Sequence, residues 1–475
     1  MFHNHQTSLD RIEQHFRVFH PFYADGWQEL PLTERLAAQH IPGASMAIIE
    51  GGEIIWAGAY GVRCQGDPDL ITPETCFQAA SISKPIAALT ALSLVAEGRL
   101  TLDANVQDFL ISWRIPAKAG WQPRVTLRQL LSHSGGVTVH GFLGYPERAT
   151  VPSLRQILNG EPPVNSPAIQ VDTLPGLHFR YSGGGYMIVQ QLIEDLTGQP
   201  FWQAAWQRVL EPAGMMHSTY LDPLPVDWHA RAAVGHRNNG DPLSGNWHRY
   251  PESAAAGLWT TPTDLARLIV LLEATLRGEI GRLIHPDLLI EMLTPQIALR
   301  GLGLDGDEGL GFFLTGEPDD LYYGHGGSNE GYRNQIIVRK GRGQAAIVMT
   351  NSDSGDALTD EWINNVALEF GWDSFVDVPF LPMAAPPASS ALLEFVGDYT
   401  AGGWHFQIRH SDTGLTLDIP GQPTLVLCPR DVDRFYLSQL NASLQFQREN
   451  GCITALAFRQ NGEDLIAERT GSMNL

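Results

Sequence analysis

Ser81, Ile82, Ser83 and Lys84 set a hydroxyl and an amine three residues apart. Residues at that spacing lie on one face of a helix, so the Lys84 amine can reach the Ser81 hydroxyl. Arginine could not serve in its place, because a guanidinium stays protonated and accepts no proton. Lysine can, once burial and neighbours lower its pKa, and the serine then becomes a nucleophile. The chain has only three lysines, Lys84, Lys118 and Lys340, among 31 basic residues. One of the three stands where a long apolar stretch begins, Pro85 to Glu97, closed by Gly98. The competing explanation is a serine cap followed by a solvated lysine in the first turn of a helix.

Two further motifs could complete such a site. Tyr181-Ser182-Gly183 precedes a glycine-rich turn that opens a helix. A tyrosine so placed can present its phenol in a cleft, where a cationic lysine would lower its pKa and let it relay protons. A packing tyrosine beside a flexible turn is the alternative. His325-Gly326-Gly327-Ser328 follows the strand expected from Leu321 to Gly324. Small residues on an edge strand let a substrate backbone lie alongside. The backbone N–H groups of Ser81 and Ser328 could then form an oxyanion hole. A glycine-rich hairpin with an incidental histidine would give the same letters.

The elements that must position these residues can be read from periodicity. The stretch after Lys84 is apolar nearly all round, which predicts a helix buried in a large domain. Residues 9–40 read mostly as helix, with an amphipathic stretch from Leu9 to Phe19. A hairpin follows: Ala44 to Ile49, the turn Glu50-Gly51-Gly52-Glu53, then Ile54 to Tyr60. From about residue 100 to 300 the pattern is helical, with segments at Val125 to His133, Tyr186 to Thr197, Phe201 to Leu210 and Thr263 to Leu276. Strands are expected at Gly311 to Thr315, Leu321 to Gly324, Asn334 to Arg339 and Gln344 to Thr350, then a helix from Leu358 to Phe370. The sheet thus draws strands from both ends of the domain, with a helical region inserted between them, an α+β pattern. Pro379 to Pro387 reads as a linker. After it come short alternating segments, Trp404/Phe406/Ile408, Leu415/Leu417/Ile419 and Leu444/Phe446, which predict a small antiparallel β-barrel or sandwich; the barrel is favoured, of lipocalin-like form. The expected organisation is one domain over 1–378, a linker over 379–390 and a β-barrel domain over 391–475.

Composition narrows the function classes. With 475 residues the chain can bury a large core. A net charge of −21 argues against nucleic acid and anionic membrane surfaces. No uninterrupted apolar run reaches membrane-spanning length. The start, Met1-Phe2-His3-Asn4-His5-Gln6, lacks a basic region followed by an apolar core, so a cytoplasmic location is expected if this is the natural start, and a periplasmic or secreted one if it is processed. Cys64, Cys76, Cys428 and Cys452 fit no metal spacing and are expected as free thiols, although two local pairs are conceivable. Gly301 to Gly306 matches G-x-G-x-x-G but is acidic and opens no helix, so nucleotide binding is not expected. No G-x-S-x-G elbow and no H-E-x-x-H occur. His3, His5, His229, His236 and His248 are expected to be solvated, and the sequon Asn441-Ala442-Ser443 to be incidental.

In this order, Ser81 to Lys84, Tyr181 to Gly183 and His325 to Ser328 resemble the serine β-lactamase and penicillin-binding protein superfamily. The match is to the class C β-lactamase-like branch, which also holds D-aminopeptidases, class VIII carboxylesterases and some acyltransferases. Leu130 to Gly136, Pro212 to Met215, Ala254 to Ala266 and Val348 to Asn351 extend the likeness over most of residues 35–370. The resemblance implies a β-lactamase-like antiparallel sheet flanked by helices. It also implies Ser81 as acylated nucleophile, Lys84 as general base, Tyr181 as proton relay, His325 at the first position of the Lys-Thr-Gly triplet, Gly326, Gly327 and Gly183 against the substrate, no metal and no organic cofactor.

Two residues depart from that pattern. Members that bind penicillins or a peptide C-terminus usually carry lysine where His325 stands; histidine, mostly neutral at pH 7, holds a carboxylate less well. H-x-G here is similar to D-aminopeptidases, which recognise the amino end of a substrate. Gly183 replaces an asparagine whose amide contacts the acyl amide. The expected function is a serine hydrolase acting through an acyl-enzyme on a D-amino-acid peptide or amide. A class VIII-type carboxylesterase, a weak β-lactamase and a non-catalytic sensor are the alternatives. The expected partner is a small molecule or short peptide, and the C-terminal barrel could cap the cleft or support homo-oligomerisation.

Overall fold

The computed structural model describes residues 5–19, 27–279, 283–299, 306–372, 375, 389–411, 414–422, 424–429, 432–437, 442–449, 451–460 and 463–470. The chain divides into two compact units. One holds the described residues of Met1–Gln14, Pro31–Ala298 and Gly306–Val376; the other holds those of His15–Leu30, Leu299–Asp305 and Asp377–Leu475.

The first unit is built on an antiparallel sheet of eight strands. Their order is Glu53–Gly61, Gly43–Glu50, Gln344–Thr350, Tyr332–Arg339, Asp320–Asn329, Phe313–Glu317, Asp307–Glu308 and Ile297–Ala298. The N-terminal hairpin therefore joins the later strands edge to edge, with Ala47 opposite Ile347. Small and apolar residues fill Gly43 to Ile49 and every one is buried, as a central strand covered on both faces requires. Tyr332–Arg339 instead alternates buried and half-buried residues. The helices Pro262–Leu276 and Asp356–Glu369 pack on the sheet.

Between the two sets of strands runs the helical region, and its spine is the helix Ser83–Ala96. Every residue from Ser83 to Leu94 is buried, so the apolar sequence is used on all sides. Each of its leucines contributes about 1.5–3 kcal/mol by leaving water. Gly98, at φ +71°, ends the helix, where its N–H bonds Val95 O and the Arg99 N–H bonds Leu94 O.

Several elements differ from the sequence expectation. The segment over 9–40 expected to be mostly helix breaks after Gln14; Phe16–Phe19 and Trp27–Leu30 form an antiparallel pair instead. Phe16 and Val18 are buried with Arg17 between them, a period of two that the preceding helical pattern obscured. The segment Phe201 to Leu210 begins as α-helix and continues from Trp206 as a wider π turn. The strand expected to stop at Gly324 continues through the glycines to Asn329. His236 is fully buried rather than solvated: its Nε2 accepts from the Gln65 N–H and its Nδ1 pairs with Asn351 O.

The second unit contains a closed antiparallel barrel of eight strands, from Gly397–Ala401 to Glu463–Thr470. Its interior is filled by alternating side chains that include Phe406, Ile408, Leu415, Leu417, Leu444 and Phe446. Trp404 is exposed, so the inward set of that strand starts at Phe406. Cys64, Cys76, Cys428 and Cys452 are free. Among the described residues no helix is long and apolar enough to cross a membrane. His3, Gly301 to Asp305, the stretch Pro379 to Pro387 and Asn441 lie outside the described residues.

Candidate active site

The turn that carries Ser81 is held from below. Phe77–Gln78 pairs with Trp259–Thr260, and the Ala79 N–H bonds Leu258 O at 2.8 Å. Ala80 then takes φ +52°, a left-handed backbone that costs a residue with a Cβ roughly 1–2 kcal/mol. Ser83 secures this bend: its hydroxyl donates to Ala80 O at 2.6 Å and accepts from the Leu258 N–H at 3.0 Å. Ser81 follows in a single 3₁₀ turn and keeps part of its surface open.

Lys84 is buried, at 2% exposure. Its Nζ lies 2.9 Å from Ser81 Oγ and 2.9 Å from Ala255 O. It also stands over two aromatic faces, 4.9 Å from the Tyr181 ring centre and 5.7 Å from that of Tyr186. Burial pulls its pKa from 10.5 down to about 7, while the Glu308 carboxyl pulls it back up. A neutral amine can accept a proton from the serine to which it is bonded, which is the requirement for a base.

Tyr181 reaches the same point from the other side. It precedes the helix Gly183–Thr197, whose cap is the Ser182 hydroxyl accepting from the Gly185 N–H at 2.9 Å. The backbone on both sides of Tyr181 is tied to His133: the Arg180 N–H bonds His133 O at 2.8 Å, and the Ser182 N–H donates to His133 Nδ1 at 3.0 Å. The His133 proton therefore sits on Nε2, which is buried and has no partner among the described residues. The Tyr181 ring lies 4.2 Å from the His133 ring, 4.9 Å from His140, 6.2 Å from Phe313 in a stack and 6.3 Å from His325. The expected lowering of the phenol by the lysine is overturned. Burial pushes the Tyr181 pKa up, its hydrogen bond with Ser81 opposes this, and Glu308 adds to the rise. Tyr181 is thus a neutral phenol near pH 7, able to donate a proton rather than to remove one.

The strand Asp320–Asn329 supplies the opposite wall. Its pairing with Phe313–Glu317 ends at Gly324, so beyond that point only the Tyr332–Arg339 side is paired among the described residues. Gly326 and Ser328 are exposed there, while His325, Gly327 and Asn329 are buried. Gly327 passes against the turn that carries Ser81, where a Cβ would stand 2.1 Å from Ala79 O. Asn334 Nδ2 donates to Gln78 O, and Asn329 Nδ2 donates to Gln78 Oε1, each at 2.9 Å. These bonds fix the strand beside Ser81. His325 donates from Nδ1 to Gly326 O at 2.5 Å, leaving its buried Nε2 without a partner among the described residues. Burial and then the Lys84 charge pull its pKa down to about 3, against a smaller rise from the hydrogen bond to Gly326. Gly183 is buried, and a Cβ there would meet Phe142 at 2.9 Å and His140 O at 3.2 Å. Phe142 and His140 thus fill the space that an asparagine side chain would need.

Ser81, Lys84, Tyr181 and His325 therefore converge, with Gly326 and Ser328 on the open strand edge. His133, Phe313, Ala255 and Glu308 were not singled out from the sequence. His133 lies in the segment Leu130 to Gly136, whose likeness to the superfamily was the available signal. Ala255 contributes through its backbone, and Glu308 had no motif to mark it.

The family profile described as Beta-lactamase matches residues 31–369. Penicillin-binding protein 4 of Amycolatopsis lactamdurans is 25% identical over 379 residues, covering 77% of this chain and 95% of its own. An octameric penicillin-binding protein homologue from Pyrococcus abyssi has a similar structure, with a TM-score of 0.63, 22% identity and coverage of 91% of this chain and 97% of its own. The crystal structure of SurE with D-Leu gives a TM-score of 0.59 and 26% identity over 92% of this chain and 98% of its own.

Proposed function

The chain belongs to the Beta-lactamase family and is a serine hydrolase of that family, and we propose that it cleaves D-aminoacyl amides or peptides through an acyl-enzyme on Ser81. The observation that carries this proposal is the 2.9 Å contact between Ser81 Oγ and a lysine amine brought to a pKa of about 7. Ser81 Oγ attacks the carbonyl carbon as its proton passes to Lys84 Nζ. The backbone N–H groups of Ser81 and Ser328 receive the oxyanion. The tetrahedral intermediate collapses, the C–N bond breaks, and Tyr181, resupplied by the Lys84 ammonium, protonates the leaving nitrogen. Water then attacks the ester carbonyl, giving its proton back along the same path, and Ser81 is released.

The choice of substrate rests on charge and space. Where superfamily members hold a carboxylate with lysine, His325 is neutral over the working range. A substrate with an uncharged leaving end and its charge at the amino end suits that site. The SurE structure holds D-Leu, an amino acid of the proposed stereochemistry. The filled space at Gly183 favours a second reading, hydrolysis of small esters, which need no contact to an acyl amide. We assign catalysis to residues 1–378 and propose that the barrel of 391–475, joined through 379–390, supports homo-oligomerisation, as the octameric state of the Pyrococcus abyssi homologue suggests.

A panel of D- and L-aminoacyl p-nitroanilides, p-nitrophenyl esters and nitrocefin tests the assignment. Faster turnover of the D-aminoacyl anilides supports it. Turnover of esters alone selects the second reading, and nitrocefin as the best substrate would overturn both.

A further inference from the structure

The bond from Asn329 to Gln78 belongs to a longer chain of buried amides. Both side chains are polar and buried, and a buried amide is costly unless its bonds are made. Gln78 stands three residues before Ser81, in the short strand Phe77–Gln78. Its Nε2 donates to His248 O at 2.6 Å, and its Oε1 accepts from Asn329 Nδ2 at 2.9 Å. Asn329 Nδ2 donates as well to Ala256 O at 3.2 Å. A carbonyl only accepts, so His248 O and Ala256 O fix the way both amides face. Three segments meet in this chain: the one that leads into Ser81, the end of the strand Asp320–Asn329, and the turn Ser253–Ala256, whose Ala255 O holds Lys84 Nζ.

We propose that Gln78 and Asn329 are positioning residues that set the Ser328 N–H at the right separation from the Ser81 N–H to receive an oxyanion. This rests on the acyl transfer at Ser81 proposed above. In that step Ser81 Oγ bonds the carbonyl carbon, and the π pair of the C=O moves onto its oxygen. Gln78 and Asn329 exchange no atoms and act through the backbone that they hold. Ser328 needs such a hold, because beyond Gly324 the strand is paired on one side only among the described residues. Both neighbours of Ser328 are anchored to the segment before Ser81. Gly327 lies against Ala79 too closely to admit a side chain, and Asn329 is bonded to Gln78. Asn334 adds a third tie, donating from Nδ2 to Gln78 O at 2.9 Å and to Gly327 O at 3.4 Å. An apolar residue at 78 or 329 would fill the space and lose the register.

The test compares a p-nitrophenyl ester with its thiono counterpart on the full chain. A thiono ester places the developing charge on sulfur, which is larger and accepts hydrogen bonds weakly, so it gains little from donors set for oxygen. In Asn329→Ala, kcat/KM for the oxo ester should fall about a hundredfold with KM nearly unchanged. The preference for the oxo over the thiono ester should fall by about tenfold. Gln78→Met breaks the same link and should give both changes, and the double variant should lose no more than the worse single one. Asn329→Asp keeps the shape and removes the donor, so any one of the three variants that folds, judged by circular dichroism and melting, is enough. A purely structural role would slow both esters alike. Folded variants that keep the wild-type preference, or a wild type with no preference to lose, overturn the proposal. A wild type that turns over neither ester defeats the hydrolase proposal and this one with it, whereas an unchanged preference in an active enzyme defeats only the role of Gln78 and Asn329.

Discussion

Replacing Lys84 by arginine keeps a cation beside Ser81 and removes the capacity to act as a base. At its ordinary pKa of 10.5 a lysine would be neutral in about three molecules per ten thousand at pH 7. Burial brings Lys84 to about 7, so about half of the molecules carry the free amine at that pH. The gain in usable base is about a thousandfold. A guanidinium cannot recover it, so kcat/KM for a neutral p-nitrophenyl ester should fall at least about 10³-fold in Lys84→Arg. Lys84→Met should lose as much and avoids burying a guanidinium. Circular dichroism and thermal melting establish that each variant is folded. The wild type should show the complementary pH dependence. Protonation of Lys84 removes the base, so kcat/KM should rise tenfold per unit below about pH 7 and level off above it. A flat profile from pH 5 to 9, or an arginine variant within tenfold of wild type, would refute the assignment of Lys84.

Tyr181→Phe keeps the ring against His133 and Phe313 and deletes the phenol; kcat should drop about 10²–10⁴-fold with the melting temperature nearly unchanged, and an activity near wild type would remove the relay. Gly327→Ala places a methyl 2.1 Å from Ala79 O, so the strand or the turn that carries Ser81 must shift; a displacement of about 1 Å should cost about a hundredfold in kcat/KM, read in the same ester assay. Glu252 is fully buried, and burial pushes its carboxyl from 4.5 up to about 8. A raised folded pKa gives stability that is present below about pH 4.5 and lost as pH rises through 8, so Glu252→Gln should gain on wild type between pH 5 and 9, by on the order of 4 kcal/mol in denaturant melts.

The Ser81–Lys84 contact was legible because its signal is local. Two side chains three residues apart, followed by an apolar helix, need only helix geometry to meet. The hairpin Gly43–Glu50/Glu53–Gly61 was legible for the same reason, from two apolar runs flanking a Glu-Gly-Gly-Glu turn. Tertiary contacts account for what was missed. His133 is tied to the backbone of Arg180 and Ser182, on either side of Tyr181, through a carbonyl and a ring nitrogen, neither of which has a spacing signature. The rise in the Tyr181 pKa depends on how deeply the site is buried, and burial outweighs the opposing hydrogen bond with Ser81. Glu308 sits in an acidic run that ordinarily reads as a solvated surface; only its place in the sheet opposite Phe313, whose ring stacks on Tyr181, brings it toward the site. The antiparallel pair of Phe16–Phe19 and Trp27–Leu30 was lost because its four-residue strands follow an amphipathic helix and borrow its pattern.

The most direct test of the account is intact-mass spectrometry of the protein after brief exposure to a fluorophosphonate or a slowly hydrolysed ester, followed by peptide mapping. A single adduct on Ser81 that forms faster as pH rises through about 7, and is absent in Ser81→Ala, is the predicted result. No adduct, or one on another residue with Ser81→Ala still turning over ester, would contradict it.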